Sequence, residues 1–258
     1  MLTLLIFHET FFVGKQDVAH CQNYELPIWL AAAFDLPEFI NILSSSGADI
    51  NESDRNGQTP LHISVKFGNA ASISRLLVYE CLYFNTQDRE GRSALHVAAE
   101  AGLSTIMRTL LARPGIDVNL RDNTGATALF RVIVKGSIPP IVLLLAEEEV
   151  DINSAGPEER TVLINTVQQR SYSIVCLLLD RKDLDVDVQD AGGLTALCWA
   201  TCLGDVDMNE ATYKYFNNLY PKRRLIWINI SAASPRFSRL LGMVTFLVQL
   251  VSYSKATD

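Results

Sequence analysis

Ser93-Ala94-Leu95-His96-Val97-Ala98-Ala99, residues 93–99, is the stretch that decides the fold, because its opening triplet recurs at a constant spacing. The triplet is a hydroxyl residue, then in most copies a small residue or proline, then a leucine, and each hydroxyl residue lies 34 positions after the previous one. Its five members are Thr59-Pro60-Leu61, Ser93-Ala94-Leu95, Thr127-Ala128-Leu129, Thr161-Val162-Leu163 and Thr195-Ala196-Leu197. Self-similarity at roughly 20–50 residues is typical of stacked structural repeats. The chain is therefore predicted to be a repeat protein.

A turn signal precedes the triplet in the same phase. An aspartate followed three residues later by a glycine stands before four of the triplets, whereas Glu159 replaces the glycine before Thr161. Asp-x-x-Gly favours a turn because aspartate bonds its own backbone and glycine tolerates positive φ. Each repeat is therefore expected to begin with a tight turn.

Apolar residues between the turns follow helical spacing. Residues 93–126 are predicted to form a first helix that ends at Gly102, followed by a second helix that buries Ile106, Leu110 and Leu111. In residues 127–160, Gly136 is predicted to end the first helix, and Pro139-Pro140 to occupy the first turn of the second helix, where a missing amide costs little. Each helix pair is too small to hide its own apolar face, so stacking of neighbouring pairs is expected.

The repeated segment resembles the ankyrin repeat, whose signature reads Thr-Pro-Leu-His-x-Ala-Ala near the start of the first helix. The best matches are Thr59-Pro60-Leu61-His62 and residues 93–99, and an earlier imperfect unit reads Leu26-Pro27-Ile28-Trp29-Leu30-Ala31-Ala32. The sequence departs from the signature at Phe130-Arg131 and at Ile164-Asn165. The resemblance implies an all-α ankyrin-repeat solenoid of stacked antiparallel helix pairs with short hairpin turns. Its signature positions here are Thr59, Leu61, His62, Ser93, Leu95, His96, Thr127, Leu129, Thr161, Leu163, Thr195 and Leu197.

The repeat boundaries divide the chain into three predicted parts. Residues 1–25 are an N-terminal capping segment, and residues 205–258 are a divergent tail with seven Lys or Arg against four Asp or Glu. Two interpretations of the tail stay open: an insertion that splits the sixth repeat, or a separate cap. Between them lie the repeats, at about 26–58, 59–92, 93–126, 127–160, 161–194 and a partial 195–204.

Composition narrows the classes of partner. The formal net charge of −7 disfavours nucleic acid, because an acidic chain does not attract phosphates. The five cysteines are odd in number and include no Cys-x-x-Cys pair, which argues against a disulfide framework. We therefore expect reduced thiols and an intracellular location, cytoplasmic or nuclear.

No group of residues predicts catalysis, a cofactor or a metal site. His62 and His96 occupy the position at which the resemblance implies hydrogen bonds to the local backbone and to the next repeat. Cys198 and Cys202 share a predicted helix face, and core packing is expected for both. His20-Cys21 is the only adjacent pair of a base and a nucleophile, and adjacency supplies no orienting third group. The chain is therefore not expected to be an enzyme.

The resemblance implies that another protein binds at the turn tips and at the exposed end of each first helix, on the concave face. We therefore predict an adaptor or scaffold. Among these positions Phe67, Arg89 and Arg92 are the predicted hot spots, since aromatic and arginine residues dominate interface energetics. The candidate residues are Arg55, Asn56, Lys66, Phe67, Arg89, Glu90, Arg92, Glu100 and Lys135, with Gln58, Asn123, Thr124, Gln168 and Gln169 at further turn and helix-end positions.

An alternative function rests on the tail. The basic cluster Lys222-Arg223-Arg224 and the apolar residues 246–251 are also consistent with a membrane-associated protein whose tail lies on a bilayer. This alternative stays open beside the protein-interaction module.

Overall fold

A computed structural model describes residues 27–203. In that range the backbone forms eleven α-helices and a short 3₁₀ turn at Pro157–Glu159, and it contains no strand. The predicted segments 1–25 and 205–258 and the pair His20-Cys21 lie outside the described residues. The helices are α1 (Ile28–Ala33), α2 (Pro37–Ser45), α3 (Pro60–Phe67), α4 (Ala70–Leu76), α5 (Ala94–Ala101), α6 (Ser104–Leu111), α7 (Ala128–Lys135), α8 (Ile138–Leu145), α9 (Val162–Gln168), α10 (Tyr172–Leu179) and α11 (Ala196–Leu203).

The chain divides after Ala98 into two compact units. In the first unit α1 packs on α3 and α2 packs on α4, so that first helices meet first helices and second helices meet second helices. The second unit repeats this arrangement, with α7, α9 and α11 in one row and α6, α8 and α10 in the other. The predicted all-α fold of stacked helix pairs is confirmed.

Helix starts and stops follow from local side-chain chemistry. The hydroxyl of Thr127 accepts a hydrogen bond from the amide of Phe130 at 3.3 Å, and Thr161 caps α9 in the same way. Gly136 ends α7 in the left-handed region, with φ of 74°, as predicted for that glycine. The second helix of this repeat begins at Ile138 and carries its prolines in the first turn, also as predicted.

The apolar stripe of α6 differs from the prediction at one position. Ile106, Met107 and Leu110 are buried, whereas Leu111 is only half-buried. Met107 is in helical register with both Leu103 and Leu110, and it lies at the centre of the buried face. Leu111 is one residue, or about 100°, beyond Leu110 and falls at the edge of that face. The prediction that Leu111 is buried is therefore wrong.

Asparagines in the loops before three of the hairpins join neighbouring repeats. In the first unit the side chain of Asn51 donates to the carbonyl of Cys81 and accepts from the amide of Tyr83, both at 2.8 Å. In the second unit Asn119 makes the same pair of bonds to Glu149 and Asp151, and Asn153 makes them to Asp183 and Asp185. The side-chain amide of asparagine can donate to one backbone carbonyl and accept from one backbone N–H in the next loop. It therefore gives hydrogen-bond partners to backbone groups that no helix or strand pairs.

Candidate protein-interaction surface

An aspartate side chain stabilises each of four hairpins by accepting hydrogen bonds from backbone amides of the same hairpin. One carboxylate oxygen of Asp54 accepts hydrogen bonds from the amides of Asn56 and Gln58, each at 2.8 Å. The amide of Gly57 then donates to the carbonyl of Asp54 at 2.9 Å, and Gly57 adopts a positive φ of 75°. Asp88, Asp122 and Asp190 repeat the two carboxylate bonds in their own hairpins. The predicted turns are confirmed at these positions.

Two hairpin tips of the first unit lie side by side. The amide of Arg89 donates to the carbonyl of Asn56 at 2.9 Å. A Cβ atom at Gly57 would lie 3.0 Å from that same amide nitrogen, so the close approach of the hairpins requires glycine there. Arg55, Asn56, Arg89 and Glu90 are all exposed on these paired tips.

The end of α3 adds an aromatic side chain to the first unit's surface. Phe67 is the last residue of α3 and is 61% exposed. Lys66 is also exposed, and its Nζ lies 3.4 Å from the side-chain oxygen of Gln58. Gln58 itself is buried, so this turn position offers little area to a partner.

The second unit exposes a more polar set of candidate positions. Lys135 ends α7 and is exposed, as are Asn123 and Thr124 in the hairpin before it. Gln168 is half-buried, whereas Gln169 is exposed. Binding at these residues stays a prediction.

Arg92 is held by its own hairpin. Its guanidinium donates two hydrogen bonds to Asp88, at 3.1 and 2.9 Å, and it lies 3.0 Å from the carboxylate of Glu90. Burial alone would raise the pKa of Asp88, but hydrogen bonds from the Arg92 amide and guanidinium bring it below its ordinary value. The half-buried Arg92 therefore neutralises charge inside the hairpin, and Arg89 offers the more accessible cation.

Glu100 belongs to a similar ion-pair network in the second unit. Arg131 lies 3.3 Å from Glu100 and donates two bonds to the buried carboxylate of Asp122. Burial raises the pKa of Asp122, and hydrogen bonds from the Thr124 hydroxyl and Arg131 outweigh that effect and lower it. The network fixes the hairpin to α7.

Arg131 and Trp199 are two structural residues that sequence reasoning missed. Each lies nine residues after the hairpin aspartate, and the indole of Trp199 donates to Asp190 at 2.7 Å. Trp199 also lies under the guanidinium of Arg160, 5.9 Å from its ring centre. The sequence pattern that could have revealed them is a hydrogen-bond donor side chain nine positions after the aspartate of Asp-x-x-Gly.

The two predicted signature histidines are structural. In the first unit Nδ1 of His62 lies 2.8 Å from the hydroxyl of Thr59, and Nε2 lies 2.9 Å from the carbonyl of Arg92. His96 repeats the first contact with Ser93 at 2.9 Å. Burial lowers the pKa of His62, although its bond to the Arg92 carbonyl opposes the change. The neutral imidazole therefore joins the start of α3 to the hairpin that follows at residues 88–92.

The two cysteines of α11 differ in environment. Cys198 is buried as predicted, whereas Cys202 is exposed, so the expectation of core packing is wrong for Cys202. Cys202 lies in the last turn of α11, four residues after Cys198. Among residues 27–203, no group of three or more His, Cys, Asp or Glu side chains converges as a metal site would require. No helix within the same range is both long and apolar enough to span a bilayer.

Comparison with known proteins agrees with this architecture. A family model described as ankyrin repeats (3 copies) matches residues 28–122 and 98–190, which is more than half of the chain. The ankyrin repeat domain of Bcl-3, described as a unique member of the IkappaB protein family, is similar in structure, with a TM-score of 0.67 and 28% sequence identity. That similarity covers 74% of this chain and 86% of the Bcl-3 domain.

The ankyrin repeat protein EF0377 is similar to the same extent. Its TM-score is 0.67 at 27% identity, over 74% of this chain and 99% of EF0377. No match was found among curated protein sequences. Proteins built from ankyrin repeats generally bind other proteins. The caps, hairpins, histidines and family model agree, and the chain belongs to the ankyrin repeat family.

Proposed function

We propose that this chain is an adaptor or scaffold that binds a partner protein at its hairpin tips and at the ends of its first helices, without catalysing a reaction. One observation carries the proposal: Arg55, Asn56, Arg89 and Glu90 are exposed on hairpins whose backbones are tied internally and to each other. Because the backbone of these hairpins is already ordered, it has little conformational freedom left to lose when a partner binds.

The proposed location is intracellular, cytoplasmic or nuclear. Cys81, Cys176, Cys198 and Cys202 are free thiols, which suits a reducing compartment. Fractionation of cells that express the tagged full chain tests the location, and recovery from the culture medium would contradict it.

Site-specific photo-crosslinking tests the binding surface. A photoreactive phenylalanine analogue is placed at Asn56 or Phe67 in the full chain, and at Val78 as a control that is also exposed but follows α4. We expect the same partner bands from both surface positions and none of them from Val78. Equal crosslinking at all three positions, or none above background at Asn56 and Phe67, would contradict the proposed surface.

A further inference from the structure

Two exposed phenyl rings lie at matching positions in the first unit. Phe34 directly follows α1 and is 39% exposed, and Phe67 ends α3 and is 61% exposed. The side-chain amide of Asn69 donates to the carbonyls of Ala32 and Ala33 at 2.7 and 2.9 Å, which ties the end of α3 to the end of α1. The two rings therefore form an aromatic zone at one end of these helices.

A basic zone lies at the other end of α3. Arg55 and Arg89 are exposed on the adjoining hairpin tips. Lys66 belongs to the last turn of α3, but its side chain runs back along the helix until Nζ is 3.4 Å from the side chain of Gln58. Three cationic side chains thus stand at the hairpin end, in a protein whose formal net charge is −7.

Four nearby carboxylates make hydrogen bonds or ion pairs within the protein. Asp54 and Asp88 accept amide hydrogen bonds within their hairpins, and Glu90 lies 3.0 Å from Arg92. Asp35, next to Phe34, accepts a hydrogen bond from the amide of Ser72 at 2.8 Å and so caps α4. The surface therefore presents a basic zone and an aromatic zone, and these four carboxylates contact the hairpins and the start of α4.

We propose that this surface binds an extended acidic segment of the partner that also carries a large apolar side chain. α3 has eight residues and is about 12 Å long. An extended peptide covers that distance in about three to four residues. The carboxylates then meet Arg55, Lys66 and Arg89 while the apolar side chain packs on Phe34 and Phe67. This inference rests on the proposed function and adds the chemistry of the partner.

A random 12-residue peptide library, selected on the full chain, provides the test. Selected peptides are synthesised with a fluorescent label, and their dissociation constants are measured by anisotropy against four variants. Lys66→Glu/Arg89→Glu reverses the basic zone, and Arg108→Glu/Lys182→Glu makes the same charge change at exposed sites of the second unit. Phe67→Ala removes the more exposed ring of the aromatic zone, and Tyr172→Ala is its control, at 48% exposure in the second unit.

The expected peptides contain Asp or Glu about three to four residues from a large apolar residue. Their dissociation constants should rise at least about tenfold in Lys66→Glu/Arg89→Glu and in Phe67→Ala, should stay within about twofold in both controls, and should rise with salt because charges are screened. Circular dichroism must show each variant folded. Selection of basic or uncharged peptides, selection of none, or affinities that neither surface variant changes would overturn the inference. Photo-crosslinking from Asn56 and Phe67 would still stand in those cases, so the two proposals can fail separately.

Discussion

The ring of Phe130 lies directly over the α-carbon of Gly156. A Cβ atom at position 156 would come within 2.6 Å of Cδ2 and 2.7 Å of Cε2 of that ring. Phe130 stands at the histidine position of its repeat, and Gly156 stands where the other hairpins have aspartate. This repeat therefore has an apolar contact at two positions that are polar in the repeat of His62 and Asp88, and Glu158 and Glu159 complete its hairpin at positive φ.

We expect Gly156→Ala to destabilise the protein because the added methyl overlaps the Phe130 ring. Overpacking of this kind costs about 1–3 kcal/mol of unfolding free energy. Gly156 has an extended backbone, with φ of −98° and ψ of −151°, so alanine adds no strain of its own. Urea denaturation of a double-mutant cycle with Phe130→Val measures the coupling. The same loss in both backgrounds would show that the ring is not the obstacle.

Replacement of Leu95 and of Arg89 should separate stability from binding. Leu95 is 3% exposed, and Leu95→Ala is expected to cost about 2–5 kcal/mol of unfolding free energy. Arg89→Ala keeps the backbone bond to Asn56 and should leave stability nearly unchanged while it weakens partner binding. Thermal melting and a binding assay are compared for both variants. A melting temperature lowered equally by the two changes would place Arg89 in the core of the fold.

Asn51 and Asn56 are five residues apart and should respond differently to alanine. Asn51→Ala leaves the carbonyl of Cys81 and the amide of Tyr83 without their side-chain partner. Both bonds are solvent-exposed, so water can replace part of each, and a net hydrogen bond of this kind contributes about 0.5–1.5 kcal/mol. Asn56→Ala keeps the amide bond to Asp54 and is expected to change stability by less than about 0.5 kcal/mol. Urea unfolding measures both, and equal losses would contradict the role assigned to Asn51.

His62 predicts how stability depends on pH. Burial lowers the pKa of the folded-state imidazole, so the unfolded chain binds more protons just below the ordinary histidine value of 6.5. The free energy of unfolding is therefore expected to fall as pH decreases from 6.5 towards the lower folded-state pKa. Urea unfolding at about pH 7.5 and about pH 5.5 tests this, with NMR titration of the imidazole. His62→Gln should reduce the dependence, and an imidazole that titrates at or above 6.5 would refute it.

Prediction from sequence succeeded where the determinants are local. Thr127, Gly136 and the two prolines of α8 define helix ends through bonds and backbone preferences within a few residues, so their spacing was enough. It failed where two repeats meet. Leu111 was misassigned because the centre of the buried stripe depends on the helix that packs against it, and Cys202 because the repeat pattern does not show where burial ends.

The interaction surface divides in the same way. The repeat register alone predicted that Phe67 and Arg89 are exposed, because equivalent positions of stacked repeats lie on the same face. Register did not show that Arg92 is drawn onto Asp88, or that Lys66 folds back to Gln58. Long side chains choose among several partners, and only their three-dimensional neighbours decide which one they take.

The amino-acid sequence by itself determined the repeat, its period, the helix caps and the family, because each depends on residues that are close together along the chain. The tertiary structure alone decided the contacts between positions 30 or more residues apart: Asn51 with Tyr83, and His62 with Arg92. Asn51 and Tyr83 lie in different repeats, and His62 meets Arg92 only when the next hairpin folds against α3. Each of these bonds gives a partner to a backbone group that no helix or strand pairs.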